Sequence, residues 1–301
     1  VPAADERPEA SEGLFHSPLN HLSPRSALNR ASIMDSCMSA SLFRRHSAAG
    51  RGMDFPDIGV PAMAVAVASG PWLRGLVFAH SVAYRHPLRR RCPTCGVVAV
   101  RVAGRGVLAA APVDGRCHLC GVPLGRPVGT VEGTAAAVLV VLALVAPSGW
   151  VLAAWSWTAL LGIALAYVDL AVLRLPDALT VAAGLGSLAL LGVAAVATDS
   201  PGRWWQALAG GLGLGVLYSI PILSRAMGMG RGDRMLAVVV GINVGWLGLA
   251  ALVTATVATA AIAAVYTVAK LVGRQLRLTD HVPVGPFILI GGLVAIVRHA
   301  V

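Results

Sequence analysis

From Met235 to Ala269 the chain carries no charged side chain at all. A bilayer core is crossed by about 20 apolar residues in a helix, so this run is too long for one crossing and barely enough for two. We split it near Gly245 to Gly248. Apolar runs of comparable length recur from residue 58 onward, near 58–83, 131–149, 151–173, 178–197, 205–223, 235–250, 252–270 and 284–298. None alternates polar and apolar in the way a barrel strand must. Lipid leaves helices as the other way to satisfy the backbone. With 56% hydrophobic residues and 13% charged ones, the composition agrees. The expected fold is therefore all-α, a polytopic membrane bundle of about eight transmembrane helices in contact with lipid.

A net charge of +10 would suit nucleic acid, but the arginines fall between the spans rather than on one soluble face. Arg85, Arg89, Arg90, Arg91, Arg101, Arg105, Arg116 and Arg126 follow the first span. Arg174 follows the third, Arg225, Arg231 and Arg234 the fifth, and Lys270, Arg274 and Arg277 the seventh. By the positive-inside rule these four exits are cytoplasmic. A nucleic-acid partner is not expected. Residues 1–57 are rich in Ser, Pro and charge without an apolar period, and read as a disordered extension or an early start in the gene model, with Met53 a plausible beginning. The first transmembrane helix then occupies 58–84, a cysteine loop 85–130, and the rest of the bundle 131–301. Cys37 has no partner by spacing and no assigned role.

Two Cys-x-x-Cys knuckles, Cys92 with Cys95 and Cys117 with Cys120, lie in the cysteine loop, each followed by glycine. Four thiolates at that spacing can close a tetrahedron around a structural zinc ion. Two disulfides are the alternative, disfavoured in a reducing cytoplasm. His118 lies inside the second knuckle, where four sulfurs already fill the shell, so it is expected to face solvent. The segment between the knuckles alternates and turns like a small hairpin.

Only seven acids follow residue 58: Asp114, Glu132, Asp169, Asp177, Asp199, Asp233 and Asp280. Most sit in loops or at helix starts. Asp177, after Pro176, reads as a carboxylate satisfying the free N–H groups at the head of the fourth span. Asp169 differs, because a long uncharged run precedes it and Leu170–Leu173 separate it from Arg174. At 1.5 Å per residue it lies roughly 7 Å below that arginine, just inside the membrane. Asp233 opens the sixth span after Gly230 and Gly232, which leave room for a close approach and permit the positive φ that a tight helix entry can need. The third span descends into the cytosol and the sixth rises from it, so both carboxylates share one depth. Two carboxyl groups close together cannot both ionise easily; one keeps a proton while the other acts as base, which is the chemistry of aspartyl proteolysis. A transporter that uses embedded carboxylates, or a zinc-knuckle scaffold whose acids only cap helices, remains open on these residues alone.

The motifs CPTCG and CHLCG, YVDLAVLRLPDALT at 167–180, GMGRGDRML at 228–236 and VPVGPF at 282–287 occur in an order that resembles the bacterial type IV prepilin leader peptidases, membrane aspartyl proteases with a Gly-x-Gly-Asp motif. The resemblance runs over roughly residues 70–301. It implies that Asp169 and Asp233 are the catalytic pair, with Gly230, Gly232, Pro176, Asp177, Pro283, Gly285, Pro286 and Phe287 in supporting motifs. It also implies cleavage of leaders from prepilin or pseudopilin substrate helices at the cytoplasmic face of the bacterial inner membrane. Many members of that family then methylate the new N-terminus with S-adenosylmethionine. This chain departs from the pattern in three places: GVVAVRVAGRGVLAA replaces the usual stretch between the cysteine pairs, His80 stands where the family has Asn, and Met235 replaces a lysine after the second aspartate.

Overall fold

The structure, a computed structural model, describes residues 55–83, 86–220, 230–273 and 282–301. The N-terminal extension as far as residue 54, with Cys37, lies outside these residues, as do Arg85, Arg225, Gly228, Met229, Arg274, Arg277 and Asp280. Eight α-helices occur among the described residues: α1 (Phe55–His80), α2 (Thr130–Val145), α3 (Gly149–Val172), α4 (Asp177–Ala197), α5 (Pro201–Ser219), α6 (Arg231–Gly245), α7 (Leu249–Val272) and α8 (Gly285–Ala300). Each falls on one of the eight apolar runs. By length and composition four of them are able to cross a membrane: Gly59–His80 of α1, α3, α4 and α7. Helices α2 and α8 are apolar but shorter.

The uncharged run from Met235 breaks at Trp246–Gly248. Helix α6 ends at Gly245, and Gly248 adopts φ +98°, a conformation that side-chain-bearing residues rarely take, before α7 begins at Leu249. Helix α3 ends without a glycine: Leu173 takes the left-handed conformation at φ 51° and donates its N–H to the Asp169 carbonyl at 2.8 Å. Pro176, shortly after it, lacks the N–H that a continued helix would need and prevents the turn from resuming in the same direction. The reversal sends the chain into α4.

Small residues set the closest approach in the bundle. A Cβ added at Gly210 of α5 would lie 2.6 Å from the Gly241 carbonyl oxygen of α6, and one at Gly245 would lie 2.7 Å from the Gln206 oxygen. Backbone therefore packs on backbone, as membrane helices do where no side chain intervenes. The glycine-rich stretch at 211–215 packs in part as its sequence suggests. Gly211 and Gly215 meet Ile242 and Val238, while Gly213 meets nothing. Deeper in the bundle Asn243 of α6 joins three helices. Its side-chain amide donates to Thr158 Oγ1 of α3 at 3.1 Å and to the Val239 carbonyl at 2.8 Å, and its oxygen accepts from Ser187 Oγ of α4 at 2.9 Å. The side chain is thus satisfied where an unpaired amide would cost several kcal/mol.

The cysteine loop lies against the last turns of α1. Strands β1 (Arg101–Ala103) and β2 (Leu108–Ala110) pair antiparallel across a 3₁₀ turn at Gly104–Gly106, the expected hairpin. Trp72 donates to the Val107 carbonyl at 3.0 Å, Ala111 N donates to Pro71 O at 3.0 Å, and His80 Nε2 lies 2.9 Å from Gly106 O. Arg74, buried in α1, pairs at 3.0 Å with Glu132 in the first turn of α2 and donates to Val113 O at 2.8 Å. One arginine therefore ties α1, α2 and the loop together. A lone arginine inside the first apolar run was its signal in the sequence, since a charge at such a depth is kept only with a partner.

Candidate active site at the helix ends

Three helix ends meet around Asp169. The side chain sits three residues before the end of α3, is 4% exposed, and its Oδ2 accepts the Gly285 N–H at 3.2 Å. Gly285 opens α8, with Pro286 in its first turn, where a missing N–H costs nothing and the fixed φ suits the helix. A Cβ on Gly285 would fall 2.9 Å from Asp169 Oδ2. Only glycine lets the backbone come this near the carboxylate. Phe287 is buried next to it and packs its ring on Tyr266 of α7, 5.1 Å between centroids, which fixes the start of α8.

Asp233 enters from α6. Its Oδ2 accepts the Gly230 N–H at 2.8 Å, closing a capping box in which an acid three residues into the helix holds the amide of the cap. The start of its helix meets the Asp169 site across Leu175. Leu175, buried in the turn after α3, is the wedge between the ends: a Cβ on Gly232 would lie 2.7 Å from Leu175 Cβ, and Leu175 Cδ2 is 3.4 Å from the corresponding point on Gly285. Gly232 thus serves close approach. The expected positive φ is not found at Gly230, whose φ of −82° is open to any residue, because the chain enters α6 through an ordinary extended cap.

The structure brings Asp169, Asp233, Gly230, Gly232 and Gly285 together. Asp177 and Pro176 lie at the rim. Pro176 is the cap residue of α4, and Asp177, in the first turn, makes no capping hydrogen bond; its Oδ2 pairs instead with Arg231 at 3.7 Å. Asp177 stands in the first turn of α4, where its charge complements the helix dipole, and Arg231 reaches it from the first residue of α6. Pro283 precedes the cap of α8 and touches the site only through the chain. Sequence reasoning missed Leu175, one leucine among many, and the Gly285 amide, which no side-chain pattern can announce.

The level of the site is set by polar neighbours. Tyr167, two residues before Asp169, shares a 2.9 Å hydrogen bond with Thr134 in the first turns of α2 and lies under the Arg126 guanidinium, 5.5 Å from its ring centroid. Charged and hydroxyl groups therefore reach the level of Asp169. Asp169 is buried within the protein, beside the head of α8.

The cysteine loop holds the second candidate site. The sulfurs of Cys92, Cys95, Cys117 and Cys120 lie within 4.8 Å of one another, with Cys92 to Cys120 at 3.6 Å and Cys95 to Cys117 at 3.5 Å. None of the four is in a disulfide. A tetrahedron with bonds of about 2.3 Å has sulfur–sulfur edges of about 3.8 Å, so the set fits a metal ion of that kind. Backbone N–H groups of Cys95 and Thr94 pull the Cys92 thiol down to about 6, and those of Cys120 and Leu119 lower Cys117. In each knuckle the turn's N–H groups thus favour ionisation of the first sulfur. His118 is exposed and outside the cluster.

Residues 156–268 match the type IV leader peptidase family, a span that contains both Asp169 and Asp233. The chain is 34% identical over 214 residues to a prepilin leader peptidase/N-methyltransferase of Burkholderia pseudomallei strain 1026b, covering 68% of this chain and 65% of that one. It is 31% identical over 212 residues to proteins of the same name from Aeromonas salmonicida strain A449 and Aeromonas hydrophila, covering 70% and 71% of their lengths. The chain belongs to the type IV leader peptidase family. It spans about two thirds of the length of these relatives. No solved structure matches it. The family match stops short of both the cysteine loop and the Gly285 turn, so the contact of Gly285 with Asp169 is a feature of this fold observed independently of that match.

Proposed function

We propose that the chain is a membrane aspartyl endopeptidase that removes leader peptides from prepilin-like or pseudopilin substrates. The observation that carries the reading is the meeting of Asp169 and Asp233 at abutting helix ends, each with one carboxylate oxygen fixed by a glycine N–H. In this mechanism the ionised member of the pair takes a proton from a water molecule, whose oxygen attacks the scissile carbonyl. The protonated member donates to the carbonyl oxygen as the tetrahedral intermediate forms. The proton is a property of the pair, so neither aspartate is named as its resting holder. On collapse the C–N bond breaks and the departing amine takes a proton from the pair. Fixing one oxygen of each carboxylate orients the pair, a pre-organisation of the kind that positions reacting groups.

The arginine-rich exits support a cytoplasmic active site, eight crossings and residence in the bacterial inner membrane. The cysteine cluster supports a structural zinc ion, held by Cys92, Cys95, Cys117 and Cys120, that closes the loop against α1 and takes no part in proteolysis. A transport reading has less support, since Tyr167, two residues before Asp169, keeps company with Arg126 and Thr134, polar neighbours that favour a site near one helix end over one at mid-bilayer. The test is co-expression with a candidate prepilin, followed by the mass of the substrate's new N-terminus. Loss of the leader is expected with the wild-type chain. An intact leader beside well-folded wild-type protein, across a panel of prepilins, would sink the reading. The names of the relatives carry an N-methyltransferase activity as well, and the same mass reads it.

A further inference from the structure

Three consecutive arginines, Arg89, Arg90 and Arg91, follow the first apolar run and take no part in the aspartate site. They line a cleft of about 540 Å³ where α1 ends. The chain leaves that helix at His80 and doubles back, so that Arg89 N donates to the Ala79 carbonyl at 3.0 Å and the Arg89 guanidinium lies 5.5 Å from the ring centroid of Phe78. The backbone is also held further along. Ala99 N and Val100 N donate to the Arg90 carbonyl at 2.9 and 3.1 Å, and Arg91 Nη1 donates to Gly96 O at 3.0 Å. The arginines are therefore mounted on a fixed stretch of chain. A second helix ends at the same place: Arg174, two residues past α3, donates at 3.2 Å to the carbonyl of Ala83 on the cleft wall. Helices α1 and α3 are both long and apolar enough to cross a membrane, so the cleft lies where two candidate spans stop.

Three adjacent guanidinium groups repel one another unless an anion joins them. The chain supplies none: no carboxylate lines the cleft, and among the described residues Arg89, Arg90 and Arg91 form no ion pair. We propose that this cleft is a binding site for the headgroup of an anionic phospholipid. The lining chooses lipid over a soluble phosphate. Val82, Pro87 and Leu88 give the cleft an apolar side, which a free phosphate would leave in water and the glycerol backbone and first methylenes of a lipid would cover. Position makes the same choice, since a basic cluster directly after a span is at the height of the headgroups, where an anionic leaflet attracts each arginine separately. The site is independent of proteolysis and stands or falls without it.

The full chain in neutral detergent is titrated with dioleoylphosphatidylglycerol, and bound lipid is counted by native mass spectrometry. Dioleoylphosphatidylcholine and glycerol 3-phosphate are the comparisons. Phosphatidylglycerol should be retained in preference to phosphatidylcholine, and an equal amount of glycerol 3-phosphate should not displace it. Arg90→Gln should weaken retention about fivefold, and with Arg89→Gln added about 25-fold. The Arg90 guanidinium makes no hydrogen bond or ion pair among the described residues, so the single variant should unfold at the wild-type midpoint. Arg89→Lys with Arg90→Lys keeps the charge and should bind within about threefold of wild type. Arg91 is left in place because it holds the first knuckle. Arg101→Gln with Arg116→Gln removes two exposed charges from the cysteine loop outside the cleft and should leave binding unchanged. Equal retention of phosphatidylcholine, or an equal loss in the Arg101 and Arg116 variant, overturns the site and leaves only diffuse charge. Displacement by glycerol 3-phosphate overturns it in favour of a soluble phosphate.

Discussion

The cysteine loop and the aspartate site are both small clusters of four or five residues, yet the chain builds them in opposite ways. Within each knuckle, the backbone turn that brings two sulfurs together spans four residues, and the turn's own N–H groups tune the thiols. Such geometry is local and survives wherever the turn is placed. The aspartate site has no local geometry. Asp169 and the Gly285 amide are 116 residues apart, and their 3.2 Å contact exists only because α3, α4, α6 and α8 pack as they do. The loop buries little beyond Val100, Leu124, a few alanines and the sulfurs of Cys92 and Cys117, and depends on its ligands, whereas the aspartates depend on where glycines let helices touch.

The largest effect that separates the two is expected at the carboxylates. Asp169→Asn and Asp233→Asn each keep shape and remove the base, so cleavage of a prepilin should fall by about 10³-fold or more, with helicity and yield unchanged. If instead the cysteine variants abolish cleavage and the aspartate variants do not, the roles are reversed and the scaffold reading stands. Next in size is Gly285→Val. Its Cβ would meet Asp169 Oδ2 at 2.9 Å and its branches would meet Leu175, so the carboxylate must move. A displacement near 1 Å costs on the order of 10²-fold in rate, and overpacking costs about 1–3 kcal/mol in stability. Rate and unfolding midpoint measured on the same preparation tell these apart. A variant that unfolds readily but cuts at the normal rate would show that Gly285 is a packing residue only.

These residues also mark how far sequence reasoning reached. Eight helices were legible from the apolar runs, four of them long and apolar enough to cross a membrane, where lipid forces every backbone group to be satisfied within the span. Asp169 and Asp233 were legible for the same reason, since a carboxylate beside a long uncharged run stands out. The sulfur cluster was legible from spacing alone. Leu175 was not, because its role lies in the gap between Gly232 and Gly285, and a leucine in an apolar chain is silent. Asp177 shows a reading that was right but incomplete. Its place at the head of α4 was read correctly, but its partner, Arg231, belongs to another helix and no local rule supplies it.

A smaller effect, and one confined to the loop, follows Cys92→Ser. Elemental analysis of the purified proteins should find zinc in the wild-type chain and none in the variant, and the yield of folded protein should fall several-fold because ligand binding is folding energy in so small a subdomain. Cleavage per folded molecule should stay within about threefold, since no sulfur comes into the chemistry. Loss of cleavage in a variant that folds and keeps its zinc would mean that the loop contacts substrate.

Arg231→Ala gives the smallest effect and tests the edge of the comparison. The guanidinium lies 3.7 Å from Asp177 Oδ2, with 74% and 58% of the two side chains exposed, and stands beside Gly232 and Asp233 in the chain. Proximity along the chain would suggest a part in catalysis; exposure argues otherwise. Water and salt screen such a pair, and exposed pairs contribute about 0–1 kcal/mol. The rate should therefore change by less than about threefold, with what change there is fading as ionic strength rises and the Debye length shortens. Helix α6 keeps its capping box from Asp233 to Gly230 in either case, so the aspartate does not lose its hold. A drop as large as that of Asp233→Asn, insensitive to salt, would move Arg231 from the rim into the site and make the cationic head of α6 part of how substrate is bound.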